Sequence, residues 1–394
     1  MVKGSVREVF LAFLYLGLTC FGGPIAHFAY FRQQFVERRG WVTDRQFGQL
    51  LTLCQFLPGP GSSKLGFALG LLRAGWPGAI AAFVAFTAPS ALLLFAFAAL
   101  LPMLSGAIGQ AALHGLKVVA VSVVAYGLIG MTRTLCPDFV RRVIAIAAAA
   151  SVLSLGQSWA QPLVVALAAG CGAVACRGVH PDFEGEFAVP FGPSTAWLLL
   201  AVFALLLVCL PLAAHAHAGL LRYAEAFFRT GALAFGGGHV VLPLLQDAVV
   251  KPGWVSSADF LAGYGAAQAV PGPMFALSAY LGARLPGSDG GLLGASVALV
   301  ATFLPGFLLA AGMLPLWRAL ALHPVAARSV AGVCAALVGM LAAALYDPLW
   351  VGAIRAPRDV FIAAVGFLML VRWRASALLV VFLCVALSIL LTLI

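Results

Sequence analysis

Charge is scarce in this chain. Of its 394 residues only 9% are Asp, Glu, Lys or Arg, while 63% are hydrophobic. Too few polar residues exist to cover the surface of a soluble globule of that length. Acidic groups are the scarcest, 13 against 23 basic ones, for a formal charge of +10. Basic loops on one side of a membrane explain that excess, and an anion pathway would also suit it. No Walker lysine motif, no His-Glu-x-x-His and no Rossmann glycine fingerprint occurs, which argues against an ATP-driven pump or a soluble-type enzyme. The eight cysteines lie mostly within apolar segments. The close pair, Cys171 and Cys176, has no metal or redox spacing, so the set reads as small buried hydrophobes and no cofactor is expected.

What the chain has in abundance is apolar runs long enough to span a bilayer, among them Gly78–Leu101, Ala196–Leu212 and Ala375–Leu393. The expected fold is an all-α polytopic membrane protein of the inner-membrane type, with about nine to thirteen membrane segments depending on how broken helices are counted. Only Lys3 and Arg7 precede the first apolar run, which does not read as a cleaved leader. Nucleic acid is not an expected partner; a homodimer is left open.

The chain also repeats itself. Phe21-Gly22-Gly23-Pro24 returns as Phe235-Gly236-Gly237-Gly238, and Leu57-Pro58-Gly59-Pro60 returns as Val270-Pro271-Gly272-Pro273. Trp41 is matched by Trp254 and Gln55 by Gln268, at offsets of 214 or 213 residues. Helix breakers placed equivalently in two apolar halves mark a transporter built from repeats, with its site at the breaks. The repeats are read as residues 1–176 and 217–394, joined by 177–216, which carries a polar loop (residues 180–186) and one connecting span. The loop from Arg32 to Arg45 has a net charge of +2, and its counterpart from Gln246 to Asp259 has −1. The positive-inside rule therefore sets the first loop in the cytoplasm and leaves the second free to face outward, which makes the repeats inverted.

An unwound peptide at membrane depth must find partners in protein or in a water-filled cavity. Gly22, Gly23, Gly59, Gly236, Gly237, Gly238 and Gly272 would let an ion approach the backbone, and each following half-helix points its free N–H groups at the break. Four such N-termini would suit an oxyanion; the alternative is that the glycines only let helices cross closely. Pro24, Pro58, Pro60, Pro271 and Pro273 are candidate hinges. Lys64 follows Ser62 and Ser63 in the first turn after Pro-Gly-Pro, where a lysine either faces a cavity or snorkels to the surface. Its counterpart is Leu277, so charge is supplied once. His27 and His239 lie beside the glycine breaks as anion donors, as proton-coupling groups, or as packing residues. Gln55 and Gln268 are candidate amide donors or helix-to-helix hydrogen bonders, and Tyr30 and Tyr280 are hydroxyl donors or interface anchors. Glu225 is the third proton-coupling candidate, unless it simply pairs with Arg229 four residues on.

These motifs resemble the chromate ion transporter family. The first copy runs Phe21-Gly22-Gly23-Pro24-Ile25-Ala26-His27, Tyr30, Phe35-Val36, Arg38-Arg39, Trp41 and Gln55 to Pro60. The second runs through Phe235, Pro243, Trp254, Gln268 and Pro271-Gly272-Pro273. The resemblance covers nearly the whole chain and implies a long, two-domain secondary carrier. Such a carrier expels chromate from the bacterial cytoplasm across the plasma membrane and confers resistance. Chromate is a tetrahedral dianion nearly isosteric with sulfate, so a sulfate or general oxyanion carrier is the runner-up reading. An anion channel or an intramembrane enzyme is the alternative class. Gly238 and Met274 stand where the first copy has Pro24 and Gly61, so the two half-sites are not equivalent.

Overall fold

The computed structural model describes residues 4–21, 23–155, 160–178, 189–216, 219–234, 241–317 and 323–393, and all secondary structure among them is helical. The first half comprises α1 (Val6–Thr19), α2 (Gly23–Arg32), α3 (Asp44–Phe56), α4 (Gly61–Leu100), α5 (Ala107–Leu135), α6 (Phe139–Leu155) and α7 (Ala160–Ala175). The connecting helix is α8 (Pro193–Ala216). The second half comprises α9 (Leu220–Leu233), α10 (Val241–Val249), α11 (Ser257–Ala269), α12 (Leu277–Ala283), α13 (Gly291–Met313), α14 (Pro324–Ala344), α15 (Pro357–Arg372) and α16 (Ala377–Leu393). Five of the described helical stretches are long and apolar enough to cross a bilayer by themselves, beginning with Gly61–Leu104 and Ala107–Leu135. This is a multi-pass membrane protein.

Local chemistry starts and stops these helices. Ser5 accepts from the Glu8 N–H at the start of α1, and Thr43 and Gln46 form a reciprocal capping box at the start of α3. Ser256, the counterpart of Thr43, caps α11 through the Asp259 N–H. The segment that follows the first Pro-Gly-Pro, residues 61–72, and the apolar run 78–101 join as the single kinked helix α4. Its kink lies at Ala74 and Gly75, where Gly75 takes φ +67°, a conformation that costs a residue with a Cβ strain.

The two halves are built alike and then exchange helices. In the first half α1 packs along α4, and in the second α9 packs along α13. Beyond that point the partners cross over. Helix α5 packs on α15 and α16 of the other half, while α14 packs on α6 and α7. Buried polar groups tie the exchange together. Ser122 Oγ donates to the Ala363 carbonyl at 2.8 Å, Ser388 Oγ donates to the Ala111 carbonyl at 2.7 Å, and His114 Nε2 lies 2.8 Å from Asp359 Oδ1. In an apolar surrounding each such group would be costly unpaired. Glycines permit the close crossings: at Gly172 and Gly332 the helices α7 and α14 meet backbone to backbone.

The structure also separates the two halves where they share sequence. Helix α11 is buried from Phe260 through Gln268, pressed against α5. Its counterpart α3 leaves Gly48, Thr52 and Gln55 exposed. A Cβ on Gly265 would come 2.0 Å from the Leu116 carbonyl oxygen, whereas one on Gly48 would meet nothing within 4 Å. Gly265→Ala therefore forces α11 and α5 apart and should cost roughly 1–3 kcal/mol. Gly48→Ala should be neutral or gain up to about 1 kcal/mol from helix propensity. Thermal melting of the two purified variants in detergent checks the contrast.

Candidate functional site

The first-half break is held by three backbone devices. Helix α3 ends at Leu57, the chain turns through Pro58 and Gly59, and α4 begins at Gly61 with Pro60 as its uncapped N-cap. Gly59 has φ +103° and sits against the Gly306 backbone of α13, so a side chain there would be both strained and blocked. Its N–H donates to the Ala234 carbonyl, at the end of α9, at 2.6 Å. The second-half break mirrors this. Gly272 has φ +95°, lies against Phe86 and Ser90 of α4, and donates to the Cys20 carbonyl at the end of α1 at 2.8 Å. Each Pro-Gly-Pro is thus stitched to the helix end that precedes the glycine break of the opposite half.

Lys64 is fully buried, which removes the snorkelling alternative. Its ammonium donates to the carbonyl of Leu57 and to that of Pro58, the latter at 2.9 Å. An ammonium has three protons; two of them hold carbonyls that the end of α3 leaves without helical donors. The stem of Lys64 packs against Gly59 and Gly306. Lys64 is therefore first of all the clamp on the break.

Around the start of α4 lie polar groups with no partner. The first intrahelical bond at this end runs from the Lys64 N–H to the Pro60 carbonyl, which leaves the N–H groups of Gly61, Ser62 and Ser63 outside the helical ladder. Ser62 and Ser63 are buried; Ser62 Oγ is 3.2 Å from His27 Nδ1 of α2. His27 is 1% exposed and packs edge-on against Phe86; beyond the Ser62 contact its ring meets only the Cys20 backbone, and its Nε2 makes no well-formed hydrogen bond. Ser63 Oγ has no hydrogen-bond partner, nor has Thr87 Oγ1 in the next stretch of α4. A native interior rarely leaves such groups orphaned unless water or a ligand meets them.

Other expected residues are placed differently from one another. Gly23 and Pro24 open α2. Gly22, Gly236, Gly237, Gly238 and His239 lie outside the described residues. After Pro271-Gly272-Pro273 the chain enters a tight 3-10 turn, Met274–Ala276, in which the Ala276 N–H is used by the Pro273 carbonyl; α12 follows with seven residues. The second Pro-Gly-Pro therefore does not open an α-helix directly, as the sequence had suggested for all four breaks. Gln268 is buried, with Nε2 3.9 Å from Met274 Sδ, while Gln55 is exposed. Tyr280 is buried and donates to the Asp259 carbonyl at 2.9 Å, so it is no interface anchor; Tyr30 is exposed. Glu225 pairs with Arg229 at 3.0 Å, the simpler of the two roles expected of it.

Sequence reading missed the partners of the breaks. Ser90 faces Gly272 and Gly306 faces Gly59, and the two follow Pro89 and Pro305, which stand at an offset of 216 residues. Extending the repeat comparison to prolines inside the long helices would have found both. The ion-pair network Glu8, Arg73 and Trp41 was missed as well. Arg73 Nη2 contacts both Glu8 oxygens at 3.1 Å, and Trp41 Nε1 donates to Glu8 at 2.9 Å.

Comparison with known proteins agrees with this duplicated architecture. The model of the chromate transporter family matches residues 7–174 and again residues 221–389. The chain is 29% identical over 345 residues to a probable chromate transport protein of Synechococcus elongatus, covering 86% of this chain and 84% of that one. It is 26% identical over 377 residues to a chromate transport protein of Pseudomonas aeruginosa, covering 94% and 88%. It is 27% identical over 351 residues to a chromate transport protein of Cupriavidus metallidurans, covering 86% and 82%. No solved structure matches the chain. With the family model matched once in each half, the chain belongs to the chromate transporter family.

Proposed function

We propose that this chain is a secondary carrier that moves chromate out of a bacterial cytoplasm across the inner membrane, with the dianion bound at the start of α4. The observation that carries the site is the buried, unpartnered Ser63 Oγ, with the buried His27 ring close by, at the uncapped N-terminus of α4. A tetrahedral oxyanion has acceptors for the free N–H groups of Gly61, Ser62 and Ser63, for the hydroxyls of Ser62 and Ser63, and for an imidazole N–H. The helix dipole adds the right sign of potential. Lys64 contributes positive charge one turn inside while clamping the break. The names of the bacterial relatives supply the substrate class and support the bacterial setting.

Alternating access follows from the same architecture as a proposal. The two Pro-Gly-Pro breaks are the hinges, and the reciprocal bonds from Gly59 and Gly272 couple the motion of one half to the other. Opposite loop charges support an inverted relation of the repeats. A dianion leaving a negative-inside compartment is driven outward by about 2.3 kcal/mol per charge per 100 mV. Proton antiport through His27, His239 or Glu225 is permitted by this drive rather than required. Efflux of this kind would confer chromate resistance. Sulfate matches the same donors in charge and shape, so a general oxyanion carrier is the competing reading. The site would need an additional repulsive element against sulfate to be selective.

Uptake of labelled chromate into proteoliposomes under an imposed potential decides between these. Saturable uptake that excess sulfate barely suppresses supports a chromate carrier; uptake that sulfate abolishes replaces it with a general oxyanion carrier, and no uptake rejects both. His27→Ala and Ser63→Ala should each raise the KM for chromate by about tenfold or more, the usual loss for a hydrogen bond to a charged group. Lys64→Ala should abolish flux in protein that still inserts in the membrane. Retained flux would remove Lys64 from the mechanism.

A further inference from the structure

Helix α3 presents a polar face that does not suit lipid. Arg45, Gly48, Thr52 and Gln55 are all exposed, and their spacing of three, four and three residues puts them on one side of the helix. Lipid-facing helices of this protein look different: α8 exposes Trp197, Leu198, Leu205, Val208 and Leu212, and α16 exposes Leu379, Phe382 and Leu390. Thr52 Oγ1 donates back to the Gly48 carbonyl at 2.9 Å, but beside α4, the long apolar helix on which α3 packs, Arg45 and Gln55 require water or protein next to them. At one end the row meets the basic loop, where Arg32 holds Asp44 at 2.7 Å and Glu37 at 2.6 Å and where Arg38 and Arg39 are exposed. At the other it reaches Gln55, two residues before Leu57, whose carbonyl the Lys64 ammonium clamps.

The second half supplies the comparison. The counterparts on α11 are Ala258, Leu261, Gly265 and Gln268. The last three are buried, and α5 closes on them until the Leu116 backbone lies against Gly265. The corresponding face of α3 receives no such cover. Repeat-related helices thus stand in two environments, one sealed and one open, and only the open one carries a polar row.

We propose that the Arg45, Gly48, Thr52 and Gln55 face of α3 lines a water-filled path by which a small anion passes between the basic-loop side and the break at Pro58-Gly59-Pro60. The structure is then the state open toward that side, with the equivalent route along α11 shut. Arg45 stands at the mouth and gives the path its preference for anions. That the anion is chromate rests on the function proposed above; that the path exists and selects anions does not.

Thiol accessibility tests the path independently of transport. Thr52→Cys and Gln55→Cys, with Leu205→Cys as the lipid-facing control, are reacted in membrane vesicles with small impermeant methanethiosulfonates, one anionic and one cationic. Modification is read at each position by mass spectrometry, which separates it from the native cysteines. Both α3 positions should react at least about tenfold faster than position 205, since thiolate formation needs water. Relative to free thiol, the anionic reagent should be favoured, and Arg45→Gln should erase that preference by about tenfold or less, the scale of one partly screened charge. Rates at positions 52 and 55 no faster than at 205 would overturn the proposal. So would oxidative crosslinking of position 52 between two copies, which would make the face a dimer contact. Chromate added in millimolar amounts should slow modification at position 55; open, anion-selective labelling without that protection leaves the path standing and counts against the chromate reading alone.

Discussion

Two hydrogen bonds hold the centre of this protein, and they are the same bond made twice. The Gly59 N–H donates to the Ala234 carbonyl, and the Gly272 N–H donates to the Cys20 carbonyl. Each glycine adopts a left-handed conformation and each presses on a proline-containing helix of the other half, Gly59 on α13 and Gly272 on α4. A break in a membrane helix is tolerated only if its peptide groups are met from elsewhere. Here the second repeat meets those of the first and the first meets those of the second. Each break thus draws a backbone partner from the opposite half, and the two halves depend on each other at their centres.

On this common frame the side chains are distributed unequally. The first break has the buried Lys64 clamp, the orphaned Ser63 hydroxyl and the His27 imidazole. The second has Leu277 in place of the lysine, a tight turn that uses its own N–H group, and a buried amide at Gln268. The backbone makes two alike breaks; the side chains set the buried lysine at only one of them, the one where the anion site is proposed. The charge cost of burying a lysine is met by carbonyls that would otherwise be unsatisfied, so one expensive group cancels another.

The broken segments were legible because glycine and proline act through the backbone, and their effect does not depend on what surrounds them. Side-chain environment was less legible. Gln55 and Gln268 occupy equivalent places in equivalent motifs, yet one is exposed and the other buried, because only α11 is covered by α5. The exchange of α5 and α14 between halves was invisible for a similar reason. An apolar face states that it wants a partner and does not state which one, since packing between such helices relies on small residues and shape. The His114 and Asp359 pair shows the limit most clearly: two residues 245 positions apart, of no special motif, meet at 2.8 Å.

The exchanged helices also set an order of events during synthesis. Helix α5 leaves the ribosome early, but the carbonyl that Ser122 binds belongs to Ala363, 241 residues later, and the Ser388 hydroxyl that binds Ala111 comes 277 residues later. At about 5–20 residues per second, that is a wait on the order of ten to fifty seconds. For that interval α5 sits in the membrane with its polar groups facing no native partner, and α6 and α7 wait likewise for α14. The chain is therefore most vulnerable to misassembly and to quality-control proteases before its last two helices arrive, and truncations near the carboxyl end should strand the first half rather than merely shorten the second.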